Sequence, residues 1–304
     1  GLILRTEVYV NNYWWPVFLT LGVSLVLFGF ALYLNSIRDL EAGFIPTRPG
    51  KRNGSRFLSS PLGLSLRLQR TSIIAWTIGM FILGASYGSI LGDLEGFLNS
   101  SEIIQQMIPE SAGFNLTERF VTMLMTILSI IGAIPSLMYI LKLRSEEKRG
   151  RTEHLHARSV SRNNIIGSYT LIAIIAAPII QLMSILGLWS TAIFVMDDVI
   201  SFNTLFKAGF AHLPAIWIMV GLAVLLIGFM PKLTGLTWVY LGYSFFVVYV
   251  GDMLQLPSWM ANLTPFGHIP QVPIEEINIL KIVALTLIAM GLMAAGFMGY
   301  NRRD

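Results

Sequence analysis

Cysteine and charge are the two features that this sequence most lacks. Its 304 residues include no cysteine, which excludes disulfide bonds and thiolate metal sites. Only 12% of the residues are charged, which is half of the roughly 25% found in ordinary soluble domains, whereas 54% are hydrophobic. This composition excludes an ordinary soluble domain and indicates a membrane protein.

Long apolar runs take the place of the missing charge. A transmembrane helix needs about 20 mostly apolar residues, and none of the runs alternates strictly as a barrel strand does. The sequence therefore predicts an all-α polytopic membrane protein. Its seven predicted transmembrane helices are Trp14–Leu34, Ser72–Leu91, Phe120–Leu141, Ile165–Trp189, His212–Met230, Leu236–Leu254 and Ile277–Met298.

Lysine and arginine are distributed unevenly between the two sets of loops. One set holds 17 of the 21 basic residues, whereas the other holds four of them and most of the acidic residues. Because basic loops stay in the cytoplasm, we expect the first set and the C-terminus to be cytoplasmic in a plasma membrane, which in a bacterium is the cytoplasmic membrane. The basic residues lie beside the membrane, so nucleic acid is not an expected partner.

The first predicted helix is set apart from the other six. A polar connector that contains glycine and proline follows it, which is typical of a linker. We therefore expect a terminal helix at 1–34, a cytoplasmic linker at 35–59 and a six-helix unit at 60–304. The leucines of SPLGLSLRLQR predict an interfacial elbow before the second helix. The segment 255–277, too broken to span and too apolar for water, predicts an outer re-entrant segment.

Patterns for nucleotide and metal binding are also missing. The nearest approach to a phosphate loop has six residues between Gly43 and Gly50 where the motif has four, and Arg52 stands where Ser or Thr would hold magnesium. The four histidines have no ligand spacing with carboxylates, so no metal site and no bound cofactor are expected. We expect a protein that is not itself an enzyme.

Ionisable residues are scarce at the centres of the predicted helices. Asp252 lies close to an outer end, and His212 and Lys281 lie at helix edges. A charge at mid-membrane is costly and is normally kept for a function. This scarcity counts against an ion-coupled carrier.

Small residues recur at every fourth position in two of the predicted helices. Such spacing lets two helix backbones approach closely. It fits packing within the chain and an interface with another subunit equally well. The positions are Gly84, Gly88, Gly92, Gly291, Ala295 and Gly299.

Aromatic side chains crowd the sixth predicted helix. Aromatic belts are common at membrane surfaces, but a tyrosine at mid-span needs a hydrogen-bond partner or a wet cavity. Packing is the simpler explanation for each residue, and a path for an amphipathic substrate is the more specific one. The candidate path comprises Tyr240, Tyr243, Phe246, Tyr249 and Asp252.

The stretch from Arg144 to Arg162 is the most charged part of the chain, with six basic and three acidic side chains between two apolar helices. In a helix, Glu147 would face Arg151 four positions later. A solvated loop explains the basic residues, whereas a docking surface for a cytoplasmic partner also explains the acidic ones. The residues alone leave both interpretations open.

The same stretch carries a family resemblance. EEKRGRTEHLHARSVSR resembles the Glu-Glu-x-x-Gly-Arg-x-Glu-x-Leu-x-Ala-x-x-Val-Ser-Arg loop of ABC-2 type export permeases, closest to the exporters of polyketide antibiotics. SPLGLSLRLQR, HLPAIWIMVGLAVLLIGFMPKLTGLTWVYLGY and LTPFGHIPQVP are similar to other parts of that group in the same order, so the resemblance covers nearly the whole chain. His154 and His156 depart from it, since aliphatic residues are more usual there.

The resemblance implies a fold, a function and partners. Permeases of this group hold two six-helix units, so the chain would be the last helix of the first unit followed by the second unit. A separate ATPase dimer, which binds ATP and Mg, would drive export of an amphipathic drug, antibiotic or lipid-like molecule. The loop 142–163 would couple to that ATPase through Glu146, Glu147, Gly150, Arg151, Glu153, Leu155 and Arg158.

Two other functions stay open. An ion-coupled carrier needs a titratable residue inside the membrane, for which Asp252 is the candidate. A non-transporting anchor or sensor for a cytoplasmic partner would use the same charged loop but would tolerate changes in the interiors of its helices.

Overall fold

The protein is helical throughout the part that the structure describes. The computed structural model describes residues 13–36, 56–94, 115–151, 160–196, 200–251 and 254–302. Within these ranges the chain forms nine α-helices and no strand: α1 (Trp15–Ser36), α2 (Pro61–Ile90), α3 (Leu116–Lys148), α4 (Arg162–Val195), α5 (Phe202–Phe210), α6 (Leu213–Phe229), α7 (Leu236–Val250), α8 (Ser258–Asn262) and α9 (Ile279–Asn301). The predicted all-α polytopic membrane class is confirmed.

Six helical stretches in the described ranges are long and apolar enough to cross a membrane. They are α1, α2 with the 3-10 turn after it, α3, α4, α5 together with α6, and α9. The sixth predicted helix, Leu236–Leu254, forms only the 15 residues of α7. At 1.5 Å per residue α7 is about 22 Å long, which is shorter than a hydrocarbon core of about 30 Å.

The chain divides into two compact units, Gly1–Gly54 and Ser55–Asp304. The first unit contains α1, a 22-residue helix that is apolar along its whole length. The predicted linker falls mostly outside the described residues. The second unit contains the other eight helices, with a core in which α3 packs against α4 and α6, while α2 packs on α4 and α9 packs on α6.

The predicted elbow is the beginning of α2 rather than a separate element. Ser60 caps the helix by accepting a 3.0 Å hydrogen bond from the backbone N–H of Gly63. Pro61 takes the first helical position, where a missing N–H costs nothing. In a helix, Leu62 and Leu66 lie on one face, so the alternating leucines are compatible with a continuous helix of 30 residues.

The span that was predicted to begin at His212 begins ten residues earlier. α5 and α6 form one apolar stretch, Phe202–Phe229, which is interrupted at Ala211 and His212. Pro214 lies in the first turn of α6 and has no N–H to continue the bonding of α5. His212 therefore lies inside the span and not at its edge.

Candidate coupling segment and its surroundings

The charged stretch begins as an extension of α3. This helix has 33 residues and is about 50 Å long, so it exceeds the hydrocarbon core by several turns. It ends at Lys148, and Gly150 two residues later has a φ of 68°, in the left-handed region that glycine adopts readily. The Gly150 N–H donates to the Glu147 carbonyl at 2.9 Å, and the Arg151 N–H donates to the Glu146 carbonyl at 3.1 Å. These two bonds satisfy the last carbonyls of the helix.

Glu146 is a buried carboxylate held by two cations. Its side chain is 4% exposed, and its oxygens lie 3.2 Å from Lys142 Nζ and 3.1 Å from an Arg151 guanidinium nitrogen. The sequence predicted that Arg151 would face Glu147, but the chain reverses at Gly150 and turns Arg151 back onto Glu146. A charge at this depth is stabilised because both cations contact it.

Arg144 ties the end of α3 to the turn between α6 and α7. Its guanidinium lies 3.2 Å from a Glu147 carboxylate oxygen. Its Nε donates a 3.1 Å hydrogen bond to the Pro231 carbonyl, 87 positions away in the sequence. Two of the loops that were predicted to be cytoplasmic are thereby joined.

Glu146 also reaches the helices on its other side. It interacts electrostatically with Tyr169 of α4, and the Tyr169 side chain interacts with Ser65 near the start of α2. α3 also packs against α4 and, less extensively, against α2.

The exposed side chains at this end of α3 are cations. Lys148, Arg149 and Arg151 face solvent, in contrast to Glu146. The helix α4 begins after Ser161, whose hydroxyl accepts a 3.2 Å hydrogen bond from the Asn164 N–H. The remaining candidates for the coupling loop lie outside the described residues; these are Glu153, Leu155 and Arg158.

Two tyrosines of the candidate substrate path bind the segment that follows α7. The Tyr240 hydroxyl donates to the Leu263 carbonyl at 2.7 Å, and the Tyr243 hydroxyl donates to the Met260 carbonyl at 3.0 Å. The segment that contains α8 therefore turns back along α7. Its predicted depth in the outer leaflet stays a prediction.

The other members of the candidate path are separated from these two. Tyr249 lines a cavity of about 160 Å³ between α3, α7 and the returning segment, where Thr126 and Gln271 are also exposed to the cavity. Phe246 lies on α7 and is 46% exposed. Asp252 lies outside the described residues, so the path as a whole stays a prediction.

The chain can be compared with known proteins. The family model described as "Multidrug efflux system permease Rv1217c, C-terminal domain" matches residues 58–301. The chain belongs to this family. It is also similar to the multidrug efflux system permease protein Rv1217c of Mycobacterium tuberculosis (strain ATCC 25618 / H37Rv), with 29% identity over 307 residues. That match takes in 100% of this chain and 56% of the relative, so the chain spans about half of the relative's length.

In this member of the efflux permease family, two glycines of α2 and one just after it face the neighbouring helix α4. A Cβ at Gly84 would collide with the Ser184 carbonyl, and one at Gly88 would collide with the Leu188 carbonyl. Gly92, just after α2, faces Val195. From the other side, Gly187 of α4 faces the Phe81 carbonyl, a contact that the spacing of α2 glycines alone did not reveal.

The small residues of α9 are divided between two environments. Gly299 packs on Phe229 and Gly228 of α6, whereas a Cβ added at Gly291 would meet no atom of the described residues within 4 Å. Ala295 is half-buried. The closest approach of α9 to α6 is at Gly296, which faces the carbonyl of Val224 and was missed because it falls between the predicted positions.

The sequence predicted that His212 lies at the edge of a span, and this prediction is wrong. His212 is 3% exposed, inside the span formed by α5 and α6. Its Nδ1 lies 2.9 Å from the Ala208 carbonyl, and its Nε2 lies 3.3 Å from Thr126 Oγ1 of α3. Because Thr126 also lines the cavity beside Tyr249, this buried histidine lies one side chain away from that cavity.

Proposed function

We propose that this chain is the membrane-spanning part of an ATP-driven efflux permease of the ABC-2 type, closest to the exporters of polyketide antibiotics. Its substrate would be an amphipathic drug, antibiotic or lipid-like molecule. The family match supports a permease, and the charged loop motif supports the ABC-2 type. The observation that carries the proposal is the geometry at the end of α3, where exposed cations surround a buried, paired Glu146.

In this proposal a separate ATPase dimer docks on the exposed cations and supplies ATP and Mg. Its movement reaches α2 and α4 through Glu146 and Tyr169, and it reaches α6 and α7 through Arg144. The other six-helix half of the permease then completes the path across a plasma membrane, with the C-terminus in the cytoplasm. The ATPase drives the cycle only if it binds the two conformations with different affinity.

A charge-reversal experiment tests the docking step. The full permease is co-purified with its candidate ATPase subunit, either unchanged or with Lys148→Glu and Arg149→Glu. We expect the ATPase to bind about thirtyfold more weakly, because the two reversals at exposed pairs together cost roughly 2 kcal/mol, and we expect stimulated ATP hydrolysis to fall with it. Both side chains are exposed, so the variant should fold.

Arg70→Glu is the matched control. Arg70 is also an exposed cation in the set that is predicted to be cytoplasmic, but it lies on α2, outside the charged stretch. Its reversal should leave ATPase binding unchanged. If the double variant binds the ATPase as tightly as the unchanged permease does, the charged stretch is a solvated loop and the docking proposal is wrong.

The buried His212 favours a second candidate function, that of an ion-coupled carrier. A titratable side chain inside a span, bonded to Thr126 of another helix, is what a proton relay would use. Transport into sealed vesicles separates the two functions. An ATP-driven permease works with ATP after an ionophore has collapsed the proton gradient, whereas a proton-coupled carrier stops. The carrier would also be inactivated by His212→Gln, even in the presence of a gradient.

A further inference from the structure

Two adjoining cavities lie between the beginnings of α2 and α4. The first has a volume of about 310 Å³ and is lined by polar groups that include Ser60, Asn163, Asn164 and Ser168. The second has a volume of about 200 Å³ and is lined entirely by aliphatic side chains. Leu62 and Leu171 line both of them, so the two cavities form one space with a polar end and an apolar end.

The apolar cavity has the length of one membrane leaflet. On α2 its lining runs from Leu62 to Ile73, which is eleven residue steps or about 16 Å of helix. On α4 it runs from Leu171 to Ile179. Half of a hydrocarbon core of about 30 Å is about 15 Å, so the apolar cavity is about as long as one leaflet is thick.

The polar cavity has the electrostatic character of an anion site. It lies where α2 and α4 both begin, after Ser60 and Ser161, and helix N-termini carry partial positive charge from their free N–H groups. Arg162 is the first residue of α4. Among the described residues that line the two cavities, none is acidic.

We propose that this space binds one phospholipid with an anionic headgroup. The headgroup phosphate occupies the polar cavity at the beginnings of α2 and α4, and one acyl chain lies along the aliphatic cavity. A phospholipid fits both parts at once, because its headgroup is polar and its acyl chains are apolar. The lipid is a bound component of the permease and not its transported substrate, so the inference goes beyond the proposed function.

Lipid retention measured by native mass spectrometry tests the proposal. The full permease is reconstituted in equimolar phosphatidylcholine and phosphatidylglycerol and is then extracted into detergent. In the spectrometer it is released from the detergent micelle. We expect one phosphatidylglycerol per chain to stay bound. Leu171→Trp fills the junction of the two cavities and displaces two or three methylenes of the acyl chain, which should lower retention roughly tenfold or more.

Ile193→Trp is the matched control, since Ile193 also lies on α4 and is 41% exposed, compared with 43% for Leu171. This variant should retain the lipid. A second variant, Asn164→Asp, places a negative charge in the polar cavity without a change of size, and it should lower the preference for phosphatidylglycerol roughly two- to fivefold.

Three results would overturn the proposal. Release of all lipid by the unchanged permease would mean that protein or solvent fills the space. Equal retention by the two tryptophan variants would show that the lipid binds elsewhere. An unchanged headgroup preference in Asn164→Asp would show that the polar cavity does not hold the headgroup charge. None of these readouts depends on transport or on ATP hydrolysis.

Discussion

At the scale of single residues, Glu146 is buried, whereas the two cations that pair with it are partly exposed. Lys142 and Arg151 are 35% and 55% exposed, whereas the Glu146 side chain is 4% exposed. Removal of the negative charge therefore frees two side chains that can turn to water, while the carboxamide stays buried. The structure at the end of α3 therefore depends more on Glu146 than on either Lys142 or Arg151.

Glu146→Gln should destabilise the end of α3 by about 1–3 kcal/mol, since charge-assisted hydrogen bonds are lost. Hydrogen exchange of the backbone amides between Lys142 and Arg151 measures this directly, and the exchange should accelerate. Lys148→Gln removes an exposed charge from the same turn and should leave exchange unchanged. Equal exchange in the two variants would contradict the central role of Glu146.

At the scale of helices, the contact between α2 and α4 depends on glycine. Gly88→Leu would force a side chain into the Leu188 carbonyl and Thr191, and overpacking of this kind costs about 1–3 kcal/mol or more. We expect a lower midpoint of thermal unfolding in detergent. The gain in helix propensity on replacing glycine is smaller, at most about 1 kcal/mol.

Gly79→Leu is the matched control for this prediction. Gly79 lies on the same helix, but a Cβ there would meet no atom of the described residues within 4 Å. The Gly79→Leu variant gains the same helix propensity without overpacking, so its midpoint of thermal unfolding should stay the same or rise. If both variants unfold at the same temperature, α2 and α4 are not in contact at Gly88.

Hydropathy predicted the helical class and five of the long spans, because a membrane helix must be apolar over about 20 residues whatever it packs against. It failed where the ends of helices depend on three-dimensional contacts. Pro214 breaks the helix after Phe210 but not the apolar run, so the span was started too late. α7 ends at Val250, although the predicted span continues to Leu254.

The site was partly predictable for a related reason. The motif identified Glu146 and Gly150, and the Gly150 conformation is of a kind that the sequence can suggest. The burial of Glu146 and its pairing with Arg151 could not be read from spacing, because the helix ends between them. The bond from Arg144 to Pro231 joins residues 87 positions apart, which no local pattern encodes.

At the scale of the whole molecule, orientation in the membrane is open to a direct test because the chain contains no cysteine. Single-cysteine variants can be labelled on intact cells with a maleimide that does not cross membranes. Lys207→Cys and Lys281→Cys should react, since the distribution of basic residues places them outside. Lys232→Cys and Arg302→Cys should react only after the cells are opened.

All four positions are exposed in the structure, so a difference in labelling reports the side of the membrane and not burial. The unchanged protein supplies a background without signal. Labelling of Lys232→Cys on intact cells, with Lys281→Cys protected, would reverse the predicted orientation and would place the end of α3 outside, away from any cytoplasmic ATPase.

The shortness of α7 bears on the bilayer itself. Its length of about 22 Å leaves about 8 Å of a typical hydrocarbon core uncrossed, and the chain after it turns back through the carbonyls bonded to Tyr240 and Tyr243. We therefore expect lipid next to α7 to thin or tilt to meet the protein, a hydrophobic mismatch that depends on acyl-chain length. The permease should accordingly be sensitive to membrane thickness on this side.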